Sequence, residues 1–359
     1  MATSTPYGGK DVYGDAFAMY RAKADDFDHF VKFLVDRLAV NGIDSSIFKG
    51  KKCLDAGCGS GRGSIFMLSC GASHVTGVDL SEQNVETARL AAQTKNFTNC
   101  EFEQGDVNAL QFDDEQFDFV WCNGVLHHTP DTDKGLFEIT RVLKVGGHMW
   151  LYLYGSGGVE WAIVDEIRDH FIKGVDYDTC LAALHLIDDH LGSISEYLDN
   201  WYTPYLRRYT DADVTARLKE LCLSSTQRLL KDVGQRVIDL SQSDLLGEQN
   251  LRYLLEKKQH LEQMPSNHVL PDINGKGSAY KESPETMQIV KRCKEAFAVL
   301  ETLEQRTGRT ENIARVAAAR LLNNIILTEM ELGGIRVKML EQCLSRVIGS
   351  LSALTESCG

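Results

Sequence analysis

The chain has 359 residues, 43% of them hydrophobic, and a formal net charge of −13. That length suits one large or two modest domains with a sizeable core, and the charge argues against non-specific binding to nucleic acid or anionic membranes. The polar stretch Met1 to Lys10 lacks a signal-peptide core, no apolar run reaches membrane-span length, and the ten cysteines contain no Cys-x-x-Cys pair, so a reducing, cytoplasmic setting without a metal or redox motif is expected.

Residues 1–45 read as an N-terminal helical cap. Tyr7, Tyr13 and Tyr20 dot its polar start, and Phe27, Phe30, Val31, Leu34 and Leu38 recur at helical spacing over 26–41. Residues 46–155 alternate strand and helix. A strand over 51–55 leads into the turn Gly57-Cys58-Gly59-Ser60-Gly61, and a helix from Ser64 to Cys70 ends at Gly71. The strand His74 to Asp79 precedes a helix over 82–94 that Ser81 can cap. Short strands follow at Cys100 to Glu103 and Phe117 to Cys122. A helix from Thr132 to Leu143, closed by Gly146-Gly147, leads to a fifth strand, His148 to Tyr154. This alternation predicts an α/β fold with a doubly wound, Rossmann-like, mostly parallel sheet.

Residues 156–210 are helical and aromatic-rich, an insertion of the kind that forms a substrate lid. Residues 211–262 supply a late helix led by Thr210-Asp211, last strands from 223–240, and a polar helix over 243–262. Pro265, Pro271 and Pro284 mark 263–284 as a linker or mobile loop. Residues 285–359 form a helical extension. Its apolar stripes are too long to leave in water, so they pack on the core or form a homodimer.

The chemistry gathers at three acids. Asp55, Asp79 and Asp106 each follow one of three successive strands, whose ends share one edge in a doubly wound sheet. The glycine turn departs from the dinucleotide fingerprint, because Arg62 stands where its third glycine belongs. Asp55 just before the turn would repel a pyrophosphate and attract an amine. Asp79, 22 residues after Gly57, has the spacing at which an acid receives two ribose hydroxyls. Asp106 can accept from an exocyclic base amine, and Asp55 with the Gly57 and Gly59 backbone suits an α-amino acid. The implied ligand is adenosine joined to an amino acid.

Several pieces in order resemble the class I S-adenosylmethionine-dependent methyltransferases. They are Leu-Asp-Ala-Gly-Cys-Gly-Ser-Gly at 54–61, Gly-Val-Asp-Leu-Ser at 77–81, Gly-Asp-Val at 105–107, Phe-Asp-Phe-Val at 117–120, Asn-Gly-Val-Leu-His-His at 123–128 and Arg-Val-Leu-Lys-Val-Gly-Gly at 141–147. Val145 stands where the family usually has proline. Arg208-Tyr-Thr-Asp-Ala-Asp-Val214 is similar to the late-helix entry of small-molecule members of the quinone-biosynthesis type, although Glu220-Leu-Cys-Leu223 departs from that type's continuation. The resemblance implies S-adenosyl-L-methionine as cofactor. It implies that Asp55, Gly57, Cys58 and Gly59 hold the amino-acid end, Asp79 the ribose and Asp106 the adenine. Leu80 and Val107 would flank the adenine, and Asn123 would lie near the methionine portion.

Methyl transfer needs mainly alignment and exclusion of water, with a base only for an acceptor that carries a proton. His127 and His128 follow the fourth strand, so either could be that base, although a structural or cofactor-contacting role suits the family's varied acceptors better. Tyr20, Trp201, Tyr205, Arg207 and Arg208 are candidate acceptor residues: aromatics for an apolar or cationic group, arginines for an anion. They serve equally well as packing and surface ion pairs. His170, His185 and His190 with Asp188 and Asp189 lack a complete metal set, and solvated helix surface is the better reading. The expected function is methyl transfer to a small-molecule acceptor. Alternatives are modification of a tRNA nucleoside and an inactive partner subunit with the same fold.

Overall fold

The computed structural model describes residues 24–187, 191–231, 233, 243–267, 269–271, 283–307, 312–331 and 337–357. A seven-stranded sheet runs through it in the order β3-β2-β1-β4-β5-β7-β6. Its strands are β1 Lys52–Ala56, β2 His74–Asp79, β3 Cys100–Gln104, β4 Phe117–Asn123, β5 Leu143–Tyr154, β6 Leu223–Arg228 and β7 Asn250–Lys257. β1 to β5 pair in parallel, and β7 inserts antiparallel between β5 and β6. The order reverses between β1 and β4, which opens a crevice at the carboxyl ends of these strands.

The sheet is buried on both faces, as parallel sheets require. On one side lie α1 Ala24–Val40, α2 Arg62–Ser69 and α3 Glu82–Thr94. Phe66 of α2 meets Trp121 of β4 edge-on, and Trp121 stacks on Trp150 of β5 with centroids 4.8 Å apart. On the other side lie α4 Thr132–Arg141 and α8 Asp211–Glu220. The fully buried Arg217 of α8 donates to both carboxylate oxygens of Asp133 at 2.6 Å, and to the carbonyls of Pro265 and Asn267. Leu270 is buried and its N–H also reaches Asp133. The described part of 263–271 is therefore strapped to the sheet rather than a free linker.

A second body holds the remaining helices. The insertion supplies α5 Val159–Glu166, α6 Tyr177–Ile187 and α7 Leu191–Tyr202, and the extension supplies α10 Pro284–Thr307, α11 Asn312–Glu331 and α12 Val337–Ser357. (α9 is the short turn Ser243–Leu246.) Ile163, Ile167, Phe171, Leu198, Ile289, Cys293, Leu300, Val316, Leu322 and Leu344 share one apolar core. The buried residues described in the C-terminal helices thus pack inside the chain. The insertion and the extension, expected as separate segments, form one helical body.

Two elements differ from the expected boundaries. α4 ends at Arg141 and β5 begins at Leu143, with Phe117 opposite Leu143 but Phe119 opposite His148. Gly146 and Gly147 form a bulge in the strand rather than a helix stop, with Gly146 at φ 78°. Within the stretch 243–262, expected as a helix, only Ser243–Leu246 is helical, and Asn250–Lys257 is the strand β7. Leu251, Tyr253 and Leu255 of β7 alternate inward and are fully buried. Good helix formers such as Leu, Glu and Lys suggested a helix, and the sheet's need for a strand between β5 and β6 overrode propensity.

Candidate active site

The glycine turn is fixed from two sides. The N–H groups of Gly57 and Cys58 both donate to the Val78 carbonyl at the end of β2, and Gly59 N–H donates to Asp79 Oδ2 at 2.8 Å. Gly57 has φ 77°, and a Cβ there would come within 2.4 Å of the Val125 side chain. Only glycine satisfies both conditions. The contact also brings the loop after β4 against the turn. Arg62, the departure from the dinucleotide pattern, opens α2 and lies over the Phe30 ring of α1 at 4.7 Å.

Asp55 is buried beneath the turn and accepts from Ser64 Oγ at 2.6 Å. Burial pushes its carboxyl up to about 7, against the lowering effect of the Ser64 hydrogen bonds. Asp79 is half-buried. It also accepts from Ser81 N–H and Asn84 Nδ2, which ties β2, the turn and α3 together. Gly105 N–H donates to the Asp79 carbonyl, and Asp106 follows just past β3, exposed, with its Oδ1 accepting from the Asn108 N–H. Leu80 is 67% exposed while Val107 is buried. The Cys58 thiol is buried, and its backbone is engaged within the turn, with the N–H on Val78 and the carbonyl accepting from Gly61 N–H. Asn123 Oδ1 accepts from Trp150 Nε1 at 2.9 Å and so helps hold the end of β4 to β5.

The loop after β4 places His127 and His128 in different states. His127 is fully buried and lies flat on the Tyr154 ring, centroids 3.7 Å apart. Its Nδ1 accepts the Tyr154 N–H at 3.3 Å, which puts the ring proton on Nε2. Burial holds its pKa well below the usual imidazole range, so His127 is a neutral donor rather than a base. His128 Nδ1 donates to the Tyr205 carbonyl at 2.9 Å, and its Nε2 stands 3.6 Å from Asp199 Oδ2. Tyr154 Oη also donates to Asp199, at 3.4 Å.

The aromatic strap 203–209 crosses this edge. Arg207 N–H donates to the His127 carbonyl, and Tyr209 pairs with the end of β5. Of the candidate acceptor residues, Arg207 is buried on the Thr129 and Pro130 carbonyls, and Arg208 is paired with Asp165 at 2.9 Å. Trp201 is buried in the helical body against Tyr197. These three pack the strap and its helix, and the expected anion site has no free arginine. Tyr205 is half-buried beneath the Arg207 guanidinium. Tyr20, His190, Asp188 and Asp189 lie outside the described residues. His170 pairs with Glu166 in the helical body. Five groups at the edge escaped sequence reasoning: Tyr152, Tyr154, Glu160, Glu196 and Asp199. The alternation of Tyr152 and Tyr154 at a strand's carboxyl end was the one local signal. An open cleft of about 350 Å³ between Lys51, Asp118 and Lys144 lies at the opposite edge of the sheet, away from all these groups.

A sheet of this order, with a glycine turn and acids at the ends of β1 and β2 and just past β3, defines an α/β enzyme that binds an adenosine-type cofactor at its carboxyl edge. The methyltransferase-domain family matches residues 47–170. The chain is 37% identical over 188 residues to 27-O-demethylrifamycin SV methyltransferase of Amycolatopsis mediterranei, across 49% of this chain and 67% of that protein. It is 36% identical over 138 residues to a ubiquinone biosynthesis O-methyltransferase of Pseudomonas fluorescens, across 35% of this chain and 59% of the relative. The chain thus spans about three fifths of that second relative. A crystal structure of an S-adenosylmethionine-dependent methyltransferase from Mesorhizobium loti superposes with a TM-score of 0.40 at 17% identity, over 58% of this chain and 92% of that one. The chain belongs to the class I S-adenosylmethionine-dependent methyltransferases, and its cofactor is S-adenosylmethionine. No helix among the described residues is long and apolar enough to cross a membrane.

The residues at the edge fit that cofactor. Ser60 Oγ is buried in the turn without a partner, and Leu80, next to Asp79, presents an apolar side chain to solvent. An amino-acid end and an adenine ring would satisfy these groups in turn.

Proposed function

We propose that the protein transfers a methyl group from S-adenosylmethionine to a small-molecule acceptor by in-line displacement. The bound cofactor supplies an electrophilic methyl on a sulfonium, and the protein's task is to hold, align and exclude water. Asp55, Gly57, Cys58, Gly59 and Ser60 are assigned to the amino-acid end. Asp79 is assigned to the ribose, and Asp106, Leu80 and Val107 to the adenine. Asn123 stiffens the adjoining edge through Trp150.

One observation carries the small-molecule reading. The helical body and the strap 203–209 close over the ends of β4 and β5, so the space beside the β4 loop is walled by protein on the acceptor side. A polynucleotide would need an open, basic approach, whereas the charged side chains whose fields reach Tyr154 at this edge are the acids Asp199, Glu196 and Glu160. The relatives named as acting on rifamycin and ubiquinone precursors support the same reading. His128, oriented through Nδ1 and facing Asp199 with Nε2, is assigned as the base when the acceptor carries a proton. Incubation with methyl-labelled S-adenosylmethionine, a metabolite extract and total RNA provides the test. Label is expected in the low-molecular-mass fraction, and label in RNA would overturn the assignment.

A further inference from the structure

Three carboxylates stand near the carboxyl end of β5: Glu160 on α5, and Glu196 and Asp199 on α7. Glu160 is half-buried, and Glu196, three residues before Asp199 on the same face of α7, keeps accessible surface. Their fields reach each other and the hydroxyls of Tyr152 and Tyr154. Among the described residues neither glutamate has a hydrogen bond or an ion pair. The arginines nearby are engaged elsewhere: Arg208 pairs with Asp165, and Arg252 lies over the Tyr152 ring at 5.0 Å. Burial, then mutual repulsion, pushes Glu160 up to about 7, and Glu196 is raised by burial and by Asp199. A fold that sets like charges together at a partly buried edge calls for a cation there.

A second observation points into the same space. His127 is fully buried, and its Nε2 has no partner. The ring stacks on Tyr154 with Nδ1 on that residue's backbone N–H, which leaves Nε2 on the side of the ring away from that N–H, and the Tyr154 hydroxyl itself donates to Asp199. It is a buried N–H donor with nothing to receive it, which a ligand atom would satisfy. Tyr152 and Tyr154 meet edge to face at 5.7 Å, and Trp161 closes on Tyr154 at 4.8 Å, which gives this edge an aromatic wall.

We propose that this edge binds a small cationic amine. Glu160, Glu196 and Asp199 receive the protonated nitrogen, the Tyr152 and Tyr154 rings flank it, and His127 Nε2–H donates to an oxygen on the same molecule. The inference rests on the methyltransferase reading only in calling this amine the acceptor.

Calorimetry on the full chain saturated with S-adenosylhomocysteine tests it, using probes that share one body: tyramine, the neutral 4-ethylphenol and the anionic 3-(4-hydroxyphenyl)propanoate. Tyramine is expected to bind at least tenfold more tightly than either. Phenethylamine, which lacks the phenol oxygen, is expected to bind several-fold more weakly than tyramine. Glu160→Gln and Glu196→Gln should each weaken tyramine at least tenfold while S-adenosylhomocysteine binds as before. Equal binding of the three charge types, no binding of tyramine, or unchanged tyramine affinity in both variants overturns the amine site. Failure of S-adenosylhomocysteine to bind the unmodified protein overturns the methyltransferase reading instead. The amine titration then runs without it, so the two failures are told apart.

Discussion

The sheet core and the helical body bury their side chains by opposite routes. In the sheet core, β1 to β4 are laid down by neighbouring stretches of chain, and the helices that cover them, α2, α3 and α4, lie between or just after these strands. The helical body joins 159–202 to 284–357 across the whole late part of the sheet, so Leu198 and Leu300 share a core although a hundred residues separate them. The first arrangement can be read one unit at a time, because each strand and helix carries its own periodicity. The second exists only once distant stripes meet. The proposed site draws on both: the sheet core holds the turn and acids assigned to the cofactor, and the helical body holds Glu160, Glu196 and Asp199, assigned to the acceptor.

The largest expected effect lies on the sheet side. Arg217→Ala would leave Asp133 buried without its cation and free two carbonyls, a loss of about 3–5 kcal/mol; a denaturant titration that finds under 1 kcal/mol would show that this ion pair does not fasten 263–271 to the sheet. On the other body, Leu300→Ala should cost about 2–5 kcal/mol. If the two bodies melt apart, a scanning calorimeter will show that loss in one transition only, and S-adenosylhomocysteine will raise the other. A single transition that carries both shifts would mean the bodies unfold together.

Asp55→Asn should move stability the other way. Burial raises the Asp55 carboxyl to about 7, above its unfolded value near 4. Between these values the folded chain keeps a proton that the unfolded chain has released, so this group's contribution falls as pH rises from about 4 to 7. The asparagine variant should match the unmodified protein near pH 4 and exceed it by an amount on the order of 2–4 kcal/mol at pH 8. Melting curves across that range give the comparison, and a constant offset would show that Asp55 is not buried as a strained acid. The same variant should bind S-adenosylhomocysteine more weakly. Asp79→Ala should weaken that binding about a hundredfold, or roughly 3 kcal/mol, by losing the ribose contact and the Gly59 anchor together; calorimetric affinity within threefold of the original would place the ribose elsewhere. The smallest effect is expected at Arg62→Ala. Loss of its contact with Phe30 should cost about 0.5–1 kcal/mol and lower the melting temperature by about 1–4 °C.

By itself the sequence determined the parallel half of the sheet, the glycine turn with Asp55, Asp79 and Asp106 at one edge, and hence the family and its cofactor. Those features follow from short-range rules: period-two burial, positive φ at Gly57, a cap at Ser81. Tertiary structure decided the rest. β7 is a strand because β5 and β6 leave a gap for one, although its residues favour helix. Arg207 and Arg208 stand out as candidate anion binders, yet carbonyls and Asp165 claim their guanidinium groups, so they are not available to an anion. Glu160, Glu196 and Asp199 carry no local mark, because a glutamate on a helix reads as solvated face until another element folds over it. The acceptor side of the site depends on contacts between segments far apart in the chain, and no periodicity within either segment encodes which acids those contacts will enclose.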